Sequence, residues 1–262
     1  TPEQFIDNLV SVFRSVRDVL TDDGTLWVNI GDSYYNYRPG KGQALVKQSV
    51  SKTKQDLPDT CARRGNKLEG LKEKDLIGIP WMLAFALRAD GWYLRQDIIW
   101  HKPNPMPESV RDRCTKSHEY LFLLSKNKKY YYDNEAIKEP VKQDWGTRNR
   151  DAGKYHNPGT GLQPHSGLTK SYERKNKRDV WTITNKPYKG AHFAVFPPDL
   201  IEPCILAGSE RGDIILDPFM GSGTTAMVAK KHGRAYIGCE LHEDYASLQT
   251  DRIDSIPPQL VL

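Results

Sequence analysis

Apolar positions in the first twenty residues recur every three or four residues, which predicts an amphipathic helix. These positions are Phe5, Leu9, Val12, Phe13, Val16 and Leu20. Thr1 is a good N-cap, Pro2 suits the first helical turn, and Gln4 completes a capping box. The pair Asp23-Gly24 predicts that the chain turns after this helix.

Further along the chain, apolar runs alternate with helix-like stretches. The predicted strands are residues 25–30, 94–100, 120–124, 214–216 and 235–239, and the predicted helices are 80–90, 198–206 and 226–230. Such alternation is typical of an α/β domain, so we expect a mostly parallel sheet with helices on both faces.

Two polar segments interrupt this pattern, at residues 36–70 and 134–190. Eight Lys and Arg face two acidic residues within 36–67, and twelve face six within 134–190, so each is +6 in a chain of net charge +5. The remainder of the chain is therefore negative. This segregation favours a polyanion that meets one face of the protein. Solvated loops that are rich in Lys and Arg for solubility are the alternative.

The run from Asp217 to Thr225, Asp-Pro-Phe-Met-Gly-Ser-Gly-Thr-Thr, carries the most chemistry. A strand, a Gly-rich turn and a helix start are the parts of a cofactor site in an α/β sheet. Glu240 ends the next strand, where an acidic side chain can accept hydrogen bonds from ribose hydroxyls. No Lys follows Gly223, which argues against a phosphate-binding P-loop, whereas Ala226 keeps a nicotinamide site open by spacing.

This string resembles the S-adenosyl-L-methionine motif of bacterial and phage DNA amino-methyltransferases, which modify adenine N6 or cytosine N4. Other segments resemble the same family in its order, and they are Thr25–Asp32, Trp100–Pro105, His118–Lys126 and Phe193–Pro198. The resemblance implies a Rossmann-like methyltransferase sheet with the cofactor motif towards the C-terminus. It divides the chain into a catalytic-side half at 1–133, a target-recognition insert at 134–190 and a cofactor-binding half at 191–262.

The resemblance also implies which residues bind cofactor and DNA. The cofactor residues are Asp217, Phe219, Gly221, Ser222, Gly223, Thr224 and Glu240, with Phe193 and Phe196 covering the methionine moiety. The residues at the rim of the base pocket or on DNA are Trp100, His101, Lys102, Asn104, Arg111, Arg113 and Lys116. For these types, core packing or a solvated charge is the competing interpretation.

The family polarises its target amine with a Ser/Asp/Asn-Pro-Pro-Tyr/Phe segment, and the 262 residues contain no such segment. Pro197-Pro198-Asp199 and Pro257-Pro258-Gln259 do not match it. We therefore assign no catalytic residue, and we expect a chain that lacks an N-terminal strand and the catalytic loop and is inactive by itself. The lost strand would lie in the middle of the sheet, beside the strand that ends at Asp217.

The expected activity is methyl transfer to a flipped adenine or cytosine of double-stranded DNA, within a restriction-modification, phage or orphan system. A methyltransferase acting on RNA or protein, and a degenerate DNA-binding prophage remnant, are the alternatives. We expect no membrane span and a cytoplasmic location in a bacterium or phage host. The four cysteines are far apart, which favours reduced thiols over a zinc site. Cys204 follows a Pro, as in cytosine C5 methyltransferases, but its apolar surroundings favour a buried structural role.

Overall fold

A computed structural model describes residues 1–36, 68, 70–141, 173–185 and 196–256. The helices are α1 (Pro2–Val19), α2 (Ile79–Ala89), α3 (Pro198–Gly208), α4 (Thr224–Lys231) and α5 (Asp244–Asp254). The strands are β1 (Thr25–Ile30), β2 (Tyr93–His101), β3 (His118–Ser125), β4 (Glu139–Pro140), β5 (Arg174–Lys175), β6 (Val180–Thr182), β7 (Ile214–Asp217) and β8 (Ala235–Gly238). Every element predicted from the sequence is present, and the capping box of Thr1 and Gln4 is formed.

The main sheet has four strands in the order β1-β3-β2-β6. Strand β3 is antiparallel to both β1 and β2, and β2 pairs in parallel with β6. The prediction of a mostly parallel sheet is therefore wrong for this part of the molecule. A parallel neighbour needs a crossover connection, usually a helix, and the segment from 102 to 117 contains none, so β3 returns antiparallel beside β2.

Strands β7 and β8 form a separate two-stranded parallel sheet, with α4 as the crossover between them. Within the described residues, β1 pairs only with β3 and β7 pairs only with β8. Each of these two strands therefore has one edge with no strand partner among the residues that the structure describes.

Helices cover both faces of the main sheet, as predicted. On one face, α1 and α2 bury the side chains of β1 and β3 around Phe122 and Leu124. On the other face, α3 packs through Leu200 and Cys204 against Trp100 and Leu121. The buried face of α1 differs from the predicted one at its start. Phe5, which was predicted to lie on the apolar face, is 47% exposed, and Ile6 is buried in its place.

Two short antiparallel pairings lie near the polar segments, an isolated β-bridge between Tyr34 and Leu76 and the strand pair β4–β5. Ser33 and Tyr35 pair with Asp75 and Ile77, through Tyr35 N–Asp75 O at 2.8 Å and Ile77 N–Ser33 O at 3.0 Å. Strands β4 and β5 pair in the same way on either side of residues 142–172. Most of both segments lies outside the described residues. None of the helices that the structure describes combines the length and apolar character needed to cross a bilayer.

Candidate functional site

Asp217, at the end of β7, fixes the turn that follows it. One carboxylate oxygen accepts a hydrogen bond from the backbone N–H of Phe219 at 2.9 Å, and the other accepts one from the hydroxyl of Thr225. The Asp217 carboxylate therefore fixes the start of this turn and links it to Thr225 in the first turn of α4. Thr225 was not among the predicted site residues, although its place in the motif is compatible with this contact.

Glu240 lies two residues after β8, next to the same turn. Its carboxylate accepts hydrogen bonds from the N–H of Gly221 and the N–H of His242, both at 2.8 Å. The N–H of Met220 also donates to the carbonyl of Cys239 at 2.9 Å. The predicted partners, the Gly-rich turn and the acidic residue, are thus brought into direct contact.

Two glycines of this region are required by geometry. Gly223 has φ +79°, which side chains rarely adopt, and an added Cβ would lie 3.3 Å from the Cα of Gln249. Gly238, in β8, approaches Met220 so closely that an added Cβ would lie 1.9 Å from the methionine Cε. The chain therefore passes through the turn and the facing strand along a path that larger residues would block.

Helix α5 packs against the outside of the turn, a contact that the sequence interpretation missed. Gln249 donates from its side-chain amide to the carbonyl of Gly221 at 2.8 Å, and Arg252 donates to the hydroxyl of Ser222 at 2.9 Å. Ile253 is buried against Met220 and Ala226. In the sequence, only an amphipathic pattern after β8 indicates this helix.

The remaining predicted cofactor residues lie in different surroundings. Ser222 and Thr224 are buried, each 3% exposed, at the start of α4. Phe219 is 53% exposed, and its ring meets the edge of the Phe13 ring at a centroid distance of 6.2 Å. Phe196 is half-buried and packs with Trp100 and Leu200, while Phe193 lies outside the described residues.

The predicted base-side residues follow the carboxyl end of β2. Strands β1 and β2 run in the same direction, since both are antiparallel to β3. Helix α3 runs the opposite way, from the Trp100 end of the sheet to Gly208, which lies beside Thr25. The start of α3 therefore lies at the carboxyl ends of β1 and β2.

Trp100 and His101 are both tied to the edge strand β6. Trp100 is 3% exposed, and its indole N–H donates to the carbonyl of Ile183 at 2.9 Å. His101 Nδ1 lies 3.2 Å from the hydroxyl of Thr182. The structure thus places Trp100 in the core below α3, with His101 at the sheet margin.

Lys102 belongs to a partly buried polar network with Glu119 and Asn29. The ammonium group of Lys102 forms an ion pair with Glu119 and lies 4.2 Å from the centroid of the Trp100 ring. The amide of Asn29 donates to Glu119 at 3.3 Å and to the carbonyl of Tyr120 at 2.9 Å. This network joins the ends of three strands, and Glu119 and Asn29 had not been selected from the sequence.

The predicted cationic residues after β2 differ in their contacts. Arg113 pairs with Glu108 and stacks over the Tyr34 ring at 3.9 Å. The ammonium of Lys116 donates to the carbonyl of Asp32 at 3.0 Å. Asn104 and Arg111 are exposed. Arg113 and Lys116 therefore fix the loop itself.

Asp32 connects this loop with α2. Its carboxylate accepts hydrogen bonds from the N–H groups of Gly78 and Ile79 at 3.0 and 3.1 Å, at the start of the helix. An acidic side chain at a helix N-terminus is electrostatically favourable. Asp32 therefore joins the loop after β1 to the start of α2, and Lys116 joins the loop after β2 to Asp32.

Cys204 is 5% exposed within the α3 face of the core, and burial raises the pKa of its thiol. A buried, protonated thiol is a poor nucleophile, which agrees with the structural role predicted for it. Among the described residues, no group of three or more His, Cys, Asp or Glu side chains is placed to hold a metal ion.

Comparison with sequence families gives one match that spans most of the chain. The model of the family N6_N4_Mtase, described as DNA methylase, matches residues 1–251. Two curated relatives are the type II methyltransferase M.Cfr9I of Citrobacter freundii and the type II methyltransferase M.SmaI of Serratia marcescens. They are 47% and 49% identical to this chain over 95% of its length, and the matches cover 71% and 74% of the relatives.

Solved structures show the same fold at low sequence identity. The PvuII DNA methyltransferase (cytosine-N4-specific) matches with a TM-score of 0.62 at 17% identity, over 96% of this chain and 71% of that one. The putative DNA modification methylase TTHA0409 of Thermus thermophilus, solved in complex with S-adenosyl-L-methionine, matches with a TM-score of 0.59 at 22% identity, over 97% and 79%.

Proposed function

This chain belongs to the N6_N4_Mtase family of DNA methylases, and we propose that it takes part in methyl transfer from S-adenosyl-L-methionine to an exocyclic amine of double-stranded DNA. The acceptor is N6 of adenine or N4 of cytosine. The observation that carries the proposal is the closed turn after β7, held by Asp217 and Glu240. We place the protein beside its type II relatives, in modification of a specific DNA sequence.

The residues of the turn fit the proposed cofactor. A nucleoside needs an acceptor for its ribose hydroxyls, and Glu240 supplies a carboxylate beside the turn. A carboxylate has about four lone-pair sites, so it can accept from backbone N–H groups and from hydroxyls together. The exposed ring of Phe219 offers an apolar surface beside the turn.

S-adenosyl-L-methionine supplies an electrophilic methyl group on a sulfonium centre. The amine that receives it is a weak nucleophile, because its lone pair is delocalised into the base. The protein's contribution is then to position the two reactants and to stabilise the charge that develops. We assign positioning of the nucleoside to Asp217 and Glu240, and positioning of the base-side rim to Lys102 and Glu119.

The DNA side of the proposal rests on the loop after β2. The target amine is inaccessible to in-line attack inside a duplex, so the base must leave the stack. The Lys102–Glu119–Asn29 network lies where the start of α3 meets the carboxyl ends of β1 and β2, and the exposed Asn104 and Arg111 continue from it. We propose that this rim faces the flipped base and the adjoining phosphates.

Methylation assays test the proposal. The protein, expressed from its complete gene, is incubated with tritiated S-adenosyl-L-methionine and, in parallel, with duplex DNA, structured RNA and protein. We expect label in DNA only, and nuclease digestion with mass spectrometry then shows N6-methyladenine or N4-methylcytosine. Label in RNA or protein instead would support the alternative substrate classes. Binding of DNA without binding of S-adenosyl-L-methionine and without transfer would support the degenerate remnant.

A further inference from the structure

Gly221 is held at both of its backbone hydrogen-bonding groups. Its N–H donates to Glu240 at 2.8 Å, and its carbonyl accepts from the side-chain amide of Gln249 at 2.8 Å. The residue has φ +51°, a left-handed conformation that glycine adopts readily, so these two hydrogen bonds select one of several conformations open to it. Glu240 is part of the proposed cofactor contacts, whereas Gln249 comes from α5, which none of the sequence motifs includes.

The contact from α5 fixes the direction of one peptide plane. The carbonyl of Gly221 and the N–H of Ser222 belong to the same trans peptide, and these two groups point in opposite directions. Drawing the carbonyl towards Gln249 therefore aims the N–H of Ser222 away from α5. Rotation of this peptide plane would reverse the directions of both groups. The nearby N–H groups of Phe219 and Gly221 donate to Asp217 and Glu240, so such a rotation would occur within the same turn.

Two further contacts keep α5 in register with the turn. Arg252 donates to the hydroxyl of Ser222 at 2.9 Å, one helical turn along from Gln249. On the same side of the helix, the buried Ile253 packs against Met220 and Ala226. An added Cβ at Gly223 would lie 3.3 Å from the Cα of Gln249, so the helix backbone passes close to the turn. Helix α5 thus contacts the turn through apolar packing and two side-chain hydrogen bonds.

We infer that Gln249, assisted by Arg252, is a positioning residue for the cofactor turn and sets the affinity for S-adenosyl-L-methionine by holding the Gly221–Ser222 peptide. The inference rests on the proposed function and extends it to α5. Gln249 acts through the turn and is assigned no contact with the cofactor.

The substitution Gln249→Glu separates positioning from helix stability. Glu has nearly the same size and a similar helix propensity, but its ionised carboxylate can only accept hydrogen bonds, so it repels the carbonyl of Gly221. Gln249→Ala removes the donor without adding repulsion. Asp254→Asn is the control, since Asp254 lies in the same helix, its side chain is 72% exposed, and its ion pair, at 3.8 Å, is with Lys230 near the end of α4.

Calorimetric titration with S-adenosyl-L-methionine is the first measurement. We expect Kd to rise about fivefold in Gln249→Ala, as for the loss of one neutral hydrogen bond, and more in Gln249→Glu, with the number of sites unchanged. A purely structural role would lower the number of sites at constant Kd, and that result overturns the inference, as does a Kd for Gln249→Glu within twofold of wild type. Absence of binding by the wild-type protein would instead count against the proposed function.

Hydrogen exchange of the ligand-free protein tests the positioning directly and independently of any cofactor. We expect faster exchange across residues 218–225 in Gln249→Glu than in wild type or Asp254→Asn, with exchange in β3 unchanged. Equal exchange across 218–225 in all three proteins would overturn the inference.

Discussion

The two sheets of this protein are stabilised in different ways. In β3 of the main sheet, every residue from Leu121 to Ser125 is buried between helices on two faces. In β8, no residue is buried, and Ile237 is 55% exposed. The turn between β7 and α4 is held by hydrogen bonds between backbone groups and the side chains of Asp217, Glu240 and Gln249. Substitutions in the main sheet should therefore act on folding, and substitutions around the turn should act on ligand binding.

The largest effect is expected from Phe122→Ala in the main sheet. Phe122 is 1% exposed and packs with Tyr120 and Trp81, so truncation leaves a cavity. We expect the free energy of unfolding, measured by urea denaturation, to fall by about 3–5 kcal/mol. The control Phe85→Ala removes a ring that is 46% exposed and should lower it far less. Equal losses for the two variants would contradict the claim that burial stabilises the main sheet.

A large effect on binding is expected from Asp217→Ala. The substitution removes two hydrogen bonds to a carboxylate, one from Phe219 and one from Thr225. Each is worth about 1.5–3 kcal/mol, so Kd for S-adenosyl-L-methionine should rise at least about tenfold, while the urea midpoint changes less than in Phe122→Ala.

Asp213→Ala provides the matched control for this experiment. Asp213 precedes β7 and accepts a backbone hydrogen bond from Glu210 at 2.7 Å, the same kind of contact at the opposite end of the strand. Its removal should leave Kd unchanged. A similar rise in Kd for both variants would mean that β7 responds as a whole and that the turn has no special part in binding.

A smaller effect is expected from the Lys102–Glu119 pair, which lies on the main sheet but at its functional end. Both side chains are partly buried, at 17% and 25% exposure. A double-mutant cycle with Lys102→Met and Glu119→Gln should give a coupling in the free energy of unfolding of about 1 kcal/mol. We also expect KM for DNA to rise while the affinity for S-adenosyl-L-methionine stays constant. Absence of coupling would contradict the proposed role of the Lys102–Glu119 pair.

The smallest effect concerns Glu202 on α3, which accepts hydrogen bonds from Lys231 and His232 of the neighbouring α4 end. Partial burial raises the pKa of Glu202, but the hydrogen bonds and the charge attraction from Lys231 and His232 together outweigh burial, and the net pKa is lowered. The stabilisation is therefore present above the ordinary carboxyl pKa and disappears as pH falls through the lowered pKa. Glu202→Gln should reduce thermal stability at pH 7, by under about 1 kcal/mol after solvent screening, and should match wild type in acid. A difference that persists in acid would contradict this assignment.

The sequence predicted the elements better than their arrangement. Periodicity and caps located every predicted helix and strand, because local patterns determine where a helix or strand begins. The antiparallel direction of β3 was not predicted. It follows from the lack of a crossover helix between Trp100 and Tyr120. The short strands β4, β5 and β6 have too few residues to produce a pattern.

The candidate site was predicted in part. Motif spacing predicted that the Gly-rich turn and Glu240 belong to one site, and both follow strands that are adjacent in the sheet; their binding of a cofactor stays a prediction. The supports from Gln249, Arg252 and Asn29 are single side-chain contacts between distant segments, and no local pattern reports these. The division of the chain at 133 and 190, and the roles of the cationic rim residues, stay predictions.

We propose that Glu240 binds the ribose of S-adenosyl-L-methionine beside the turn at Gly221. Calorimetric titration of wild type and Glu240→Ala, each with S-adenosyl-L-methionine and with its 2′,3′-dideoxy analogue, tests it most directly. We expect wild type to bind the cofactor at one site and the analogue about tenfold more weakly, whereas Glu240→Ala should bind both with similar, reduced affinity. Undiminished discrimination between the two ligands in Glu240→Ala, or no binding by wild type, would contradict it.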